Sequence, residues 1–158
     1  MQTQNRNKLI MIYILEVVGG GLLLYAVNGI AGGGVYADEH HISGAIPTPD
    51  IAILLISILL IGSATVLFWH VTSKAIRHAG ANSTYRRLMF STIGSMASLA
   101  VGFLFPFLIL SIGLGIWALF LSFKRDNRAK QYTVATRIIN IVVLLTVIIG
   151  TILSFFRG

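Results

Sequence analysis

The sequence has no cysteine and only three prolines, and five of its 158 residues are acidic. Without cysteine there can be no disulfide, thiolate metal site or cysteine nucleophile, and thiol usage says nothing about compartment. Charge of either sign is scarce: 11% of the residues are Asp, Glu, Lys or Arg, against about 25% in soluble domains. With 56% hydrophobic residues, a soluble fold would lack the polar surface to cover its apolar content. The usual marks of catalysis are missing too. There is no HExxH, no nucleophile elbow, no paired-carboxylate motif and no phosphate-binding glycine loop between a strand and a helix. Neither enzyme chemistry nor a cofactor or metal is expected.

Long uncharged runs take the place of these features. Residues 9–30 are interrupted only by Glu16 and Asn28, residues 51–69 and 138–156 carry no charge, and residues 88–123 contain no Lys, Arg, Asp, Glu or His. Apolar runs of about 18 or more residues read as transmembrane helices. The expected fold is therefore all-α: a polytopic integral membrane helical bundle with four hydrophobic segments and four to five crossings. It forms a single membrane domain over residues 1–158. The small-x-small triplet Val35-Tyr36-Ala37 has the look of a signal-peptide cleavage site. The preceding apolar run is longer than a signal core and holds a Glu, so retention as a helix is expected. The glycine cluster 32–34 is expected to end that helix.

Twelve basic residues give a net charge of +7. They flank the apolar runs: Arg6 and Lys8 before the first, Lys74, Arg77, Arg86 and Arg87 around the second break, and Lys124, Arg125, Arg128, Lys130 and Arg137 before the last. This arrangement suits anionic lipid headgroups better than nucleic acid, and Lys74, Arg77, Arg86, Arg87, Lys124, Arg125, Arg128 and Lys130 are the candidate headgroup contacts. The loop 31–50 holds Asp38, Glu39 and Asp50 but no Lys or Arg, which marks it as the non-cytoplasmic side. Asp38, Glu39, His40 and His41 are adjacent rather than spaced as ligands, so a solvated loop is expected there. Asp50, after Pro47 and Pro49, is the expected N-cap of the second span.

Residues 88–123 decide the topology. One helix of that length would be about 54 Å long, against about 30 Å of hydrocarbon. With the N-terminus inside, a single crossing leaves seven basic residues in the cytoplasm. A stretch that returns to its starting side leaves eleven there, with only Arg157 outside. The positive-inside rule favours the second arrangement. The expectation is a hairpin bent near Pro106, with the N-terminus in the cytoplasm of a bacterial cell membrane. Gly94, Ser98 and Gly102 recur every four residues and form the expected helix-packing seam.

Glu16 is the only acid inside an apolar run. It lies about 10 Å of helix rise beyond Leu9, and an intramembrane carboxyl is costly enough to be a functional candidate by default. Two function classes follow. One is a non-catalytic membrane component (accessory, regulatory, assembly or immunity-like) acting through helix contacts with a second copy or a partner membrane protein. The other is a small transporter or channel subunit with Glu16 as its proton or cation site.

Overall fold

A computed structural model describes residues 2–39, 48–80 and 83–157, with side chains for 4–32, 49–80 and 83–156. Among these residues five helices follow in order: α1 (Gln2–Glu39), α2 (Thr48–His78), α3 (Thr84–Ala100), α4 (Phe105–Phe123) and α5 (Thr133–Arg157). No strand occurs among the described residues. Helices α1, α2, α4 and α5 are long and apolar enough to cross a membrane. Their outward faces carry Leu, Ile, Val, Phe and Trp in the open: Leu59 and Val66 of α2, Ile109 and Ile116 of α4, and Ile141 and Ile148 of α5 are all exposed. Outward apolar faces need lipid as their solvent, so this is a helical membrane bundle.

The uncharged run 88–123 is divided between two helices. Helix α3 packs against α4, α2 and α5, and α1 packs against α2 and α5. Ten of the seventeen residues of α3 are buried, which makes it the enclosed helix of the bundle. The α3–α4 connection is tight. Gly102 N–H donates to Leu99 O at 2.9 Å, and Leu104 N–H donates to Val101 O at 3.0 Å. The bend therefore lies at Val101–Leu104, just before the expected place. Pro106 belongs to the first turn of α4, where its missing N–H costs no hydrogen bond.

Three contacts fix which segments share an end of the bundle. Asn5 Nδ2 donates to the Tyr132 hydroxyl at 3.2 Å. Thr84 Oγ1 donates to Asn127 Oδ1 at 3.2 Å, and the Tyr85 hydroxyl donates to Gln131 O. The start of α1, the α2–α3 junction and the α4–α5 loop therefore meet at one end, with the basic residues of all three. At the opposite end, Asn28 of α1, Phe103 of the turn and Ser154 of α5 line one cavity of about 230 Å³. The α3–α4 hairpin thus runs from the basic end to the level of Asn28.

Two helix boundaries differ from expectation. Helix α1 does not stop at glycines 32–34 but continues to Glu39. The helix penalty of glycine is measured against a hydrated coil, and that alternative weakens near a membrane. Asp50 is not the N-cap of α2, because α2 opens at Thr48 and Asp50 lies inside its first turn. Pro49 suits that turn, and an acid there complements the helix dipole. The side chains of Asp38 and Glu39, and all of His40, His41 and Pro47, lie outside the described residues.

Candidate functional site

Glu16 is fully buried. It belongs to the inward face of α1 with Ile12, Gly19, Gly20, Leu23 and Ala26. Two glycines one turn beyond it bring the neighbouring helices close. A Cβ on Gly19 would lie 2.7 Å from Ile61 Cγ1 of α2, and one on Gly20 would lie 2.8 Å from Thr146 Oγ1 of α5. Larger residues there would push both helices away from the Glu16 turn.

Contacts along the helices set what shares its depth. Gly19 meets Ile61 and Gly29 meets Asp50, so α1 and α2 are antiparallel and Glu16 is level with the buried Ala64. Helix α5 runs parallel to α1, since Asn5 meets Tyr132, Gly20 meets Thr146 and Leu24 meets Gly150. This register puts Glu16 level with Val142 and Val143, and Asn140 of α5 within one turn of that depth.

Asn140 is also fully buried. Its Nδ2 donates to Thr92 Oγ1 of α3 at 2.9 Å and to Thr136 O at 2.7 Å. The carbonyl of Thr136 can only accept, which fixes the amide orientation. Thr92 in turn donates its hydroxyl proton to Leu88 O at 3.0 Å. One atom is left over on Asn140. Its Oδ1 and both carboxyl oxygens of Glu16 are buried with no hydrogen-bond partner among the described residues.

A cleft of about 460 Å³ opens at the basic end between α1 and the start of α5, with Arg6, Leu9 and Tyr13 on one wall and Gln131 and Tyr132 on the other. Tyr13 precedes Glu16 by three residues, about 4.5 Å of helix rise. A buried carboxyl without a partner can take up a proton, and Asn140 Oδ1, within a turn of its depth, is a further unpaired acceptor. Among the described residues, no three His, Asp or Glu side chains converge as metal ligands.

The other sequence candidates are dispersed. Gly94 faces α4, where its Cβ would lie 2.8 Å from Leu114 Cδ1. Ser98 is buried on α3, and Gly102 lies in the turn beyond it. The tightest polar join of the hairpin is one residue off that pattern: Ser95 Oγ donates to Ser111 O at 3.1 Å, and Ser111 Oγ donates to Ser95 O at 2.9 Å. The spacing of small residues in 91–98 shows that a helix approaches but not which hydroxyl it meets.

The basic residues divide by what they touch. Arg128 Nε donates to Phe123 O at 3.0 Å, Arg137 Nη2 to Ser122 O at 2.7 Å, and Asn127 Nδ2 to Leu121 O at 2.8 Å. Together they satisfy carbonyls left open at the end of α4, where cations also complement the dipole. Lys130 stands over the Tyr85 ring at 5.1 Å, Lys124 over Phe120 at 5.6 Å and Arg86 over Phe90 at 5.5 Å. Burial, and then the neighbouring Tyr132, push the Tyr85 phenol up to about 12, which keeps it a neutral donor to Gln131. Lys74, Arg77, Arg87 and Arg125 are exposed.

The fold and its outward apolar faces define a helical membrane protein, with a few polar groups buried among apolar ones. Comparison of the chain with protein families, with curated proteins and with solved structures finds no match.

Proposed function

We propose that this protein is a non-catalytic, multi-pass component of the bacterial cytoplasmic membrane, of accessory, regulatory, assembly or immunity type, acting through helix contacts. One observation carries this reading: several of its polar side chains join one helix to another. Ser95 and Ser111 bond reciprocally, Asn140 bonds Thr92, and Arg137 bonds Ser122. The outward faces are left apolar, for lipid or for the helices of a second copy or another membrane protein. The N-terminus and both basic loops face the cytoplasm, in keeping with the positive-inside rule. A photo-crosslinker at Leu59 or Val66, both on the open face of α2, tests this role in cells. A discrete protein adduct is expected, and adducts with lipid alone would count against it. For orientation, cysteines placed separately at Ser73 and Ala129 should both resist an impermeant reagent in intact cells.

A second reading, a small transporter or channel subunit, draws on the unpartnered oxygens of Glu16 and Asn140. Glu16→Gln separates the two. In a component that works by contact, the amide keeps the shape and the function. In a proton- or cation-coupled carrier, it abolishes flux into vesicles containing the purified protein.

A further inference from the structure

At the basic end, α2 and α3 diverge around a groove of about 410 Å³ lined by Trp69, Ser73, Ile76, Arg77, Arg86 and Phe90. Its composition is graded. The two arginines sit toward the end of the bundle, and the two rings sit about a turn or more deeper along each helix. The rings lie together: Trp69 and Phe90 stand 5.8 Å apart at 45°, and the Arg86 guanidinium lies 5.5 Å from the Phe90 centroid. Ser73 directs its hydroxyl proton to His70 O at 3.0 Å, which leaves its oxygen as an acceptor and the arginines as the strong donors. Among the described residues, no acidic side chain lines the groove.

We propose that this groove binds one anionic phospholipid from the leaflet at the basic end. Arg77 and Arg86 hold the phosphate, and the glycerol and first acyl carbons lie on Trp69 and Phe90. Guanidinium groups offer paired N–H donors matched to phosphate oxygens, and aromatic rings at that depth suit the boundary between headgroup and chain. A free phosphate would gain only the arginines, whereas a phospholipid gains the rings as well, so the grading of the groove selects the lipid. The site depends on the membrane bundle and not on the role proposed above. It also differs from the general attraction of a basic surface for anionic lipid, because the residues named form a single groove.

The chain has two tryptophans, so Trp117→Phe leaves Trp69 as the reporter. The full chain, delipidated in detergent, is titrated with phosphatidylglycerol brominated on its acyl chains. Saturable quenching of Trp69 is expected at one lipid per chain. Arg77→Gln with Arg86→Gln should weaken binding by about tenfold or more, as charge-assisted bonds are lost. Arg86→Lys, which keeps the charge and loses the fork, should weaken it less. Arg6→Gln with Lys8→Gln removes the same charge elsewhere at that end and should leave the titration unchanged. Equal quenching by brominated phosphatidylcholine would overturn the proposal, as would equal weakening by the Arg6/Lys8 pair. Displacement by inorganic phosphate at matched concentration would show an anion site only and would overturn it too. If the double glutamine variant loses its helical circular dichroism, Arg86→Lys and the phosphatidylcholine arm decide alone.

Discussion

Helices α3 and α4 share one uncharged run, yet they occupy different environments. Helix α3 buries ten of seventeen residues, among them Ser91, Thr92, Ser95 and Ser98. Helix α4 is the more apolar by sequence, yet its buried residues are Ser111, Gly115, Ala118, Leu121 and Ser122. Both helices turn hydroxyls and small residues inward, and α4 presents Phe, Ile, Leu and Trp outward. In a bilayer the solvent is as apolar as any core, so hydropathy no longer predicts burial. Close packing and hydrogen bonds between helices do.

The sharpest way to break this contrast is to overfill the place where the two helices meet. A Cβ on Gly115 would lie 3.1 Å from Ser95 Oγ and 3.4 Å from Leu144 Cδ2 of α5. Gly115→Leu should therefore force α4 away from both α3 and α5, at a cost of about 1–3 kcal/mol, and lower the midpoint of thermal unfolding in detergent. Ile116→Leu, one residue on and 56% exposed, should leave that midpoint unchanged. Equal loss from both variants would mean that α4 has no protein-facing side.

The second effect concerns how far α3 reaches. Phe103 stands in the turn at the level of Asn28 and is 43% exposed. Phe103→Cys should react in intact cells with an impermeant maleimide while cysteines at Ser73 and Ala129 do not. Protection of all three would mean that the hairpin stops short of the far surface.

Much of this was legible in the sequence, though unevenly. The length of 88–123 and the charges around it point to a hairpin, because span length and loop charge are coarse physical constraints. Recurrence of His70, Lys74 and His78 at four-residue spacing predicts that α2 continues past its apolar run, and it does run to His78. The polar partners were not legible. Nothing local distinguishes Ser95, which bonds Ser111, from Ser98, and nothing in the α4–α5 loop announces that Asn127 and Arg128 will cap α4. Both depend on which helix lies opposite. Glu16 stands out by sequence as a lone acid, whereas Asn140 and Thr92 join its depth only once the register of α1, α3 and α5 is known.

A smaller effect tests that register. Asn140→Leu removes the bond to Thr92 and the unpartnered Oδ1 together. Interhelical hydrogen bonds in membranes average about 0.6 kcal/mol, with a maximum near 1.7, and loss of the orphaned acceptor offsets part of that. Asn140→Leu should therefore cost less than Thr92→Val, which leaves the Asn140 amide short of an acceptor. The reverse order in thermal unfolding would place a partner on Asn140 Oδ1 and strengthen the case for a bound proton or cation.

An effect of similar size concerns Pro106, which the sequence alone makes the natural cause of the bend. The two helices begin differently. Ser83 caps α3 by accepting from Arg86 N–H at 3.1 Å, whereas α4 follows Leu104 with no side-chain cap and carries Pro106 in its first turn. There the proline only removes a donor that would otherwise need a partner. The bend precedes it, and the reciprocal Ser95–Ser111 bonds hold the arms together five residues beyond it. Pro106→Ala should then act mainly by loosening the unfolded chain, about 0.4–1 kcal/mol. Ser95→Ala combined with Ser111→Ala should cost more, because both cross-helix bonds go at once. If Pro106→Ala proves the more damaging in thermal unfolding, the bend is imposed by the proline ring, and the pairing of α3 with α4 is its consequence and not its cause.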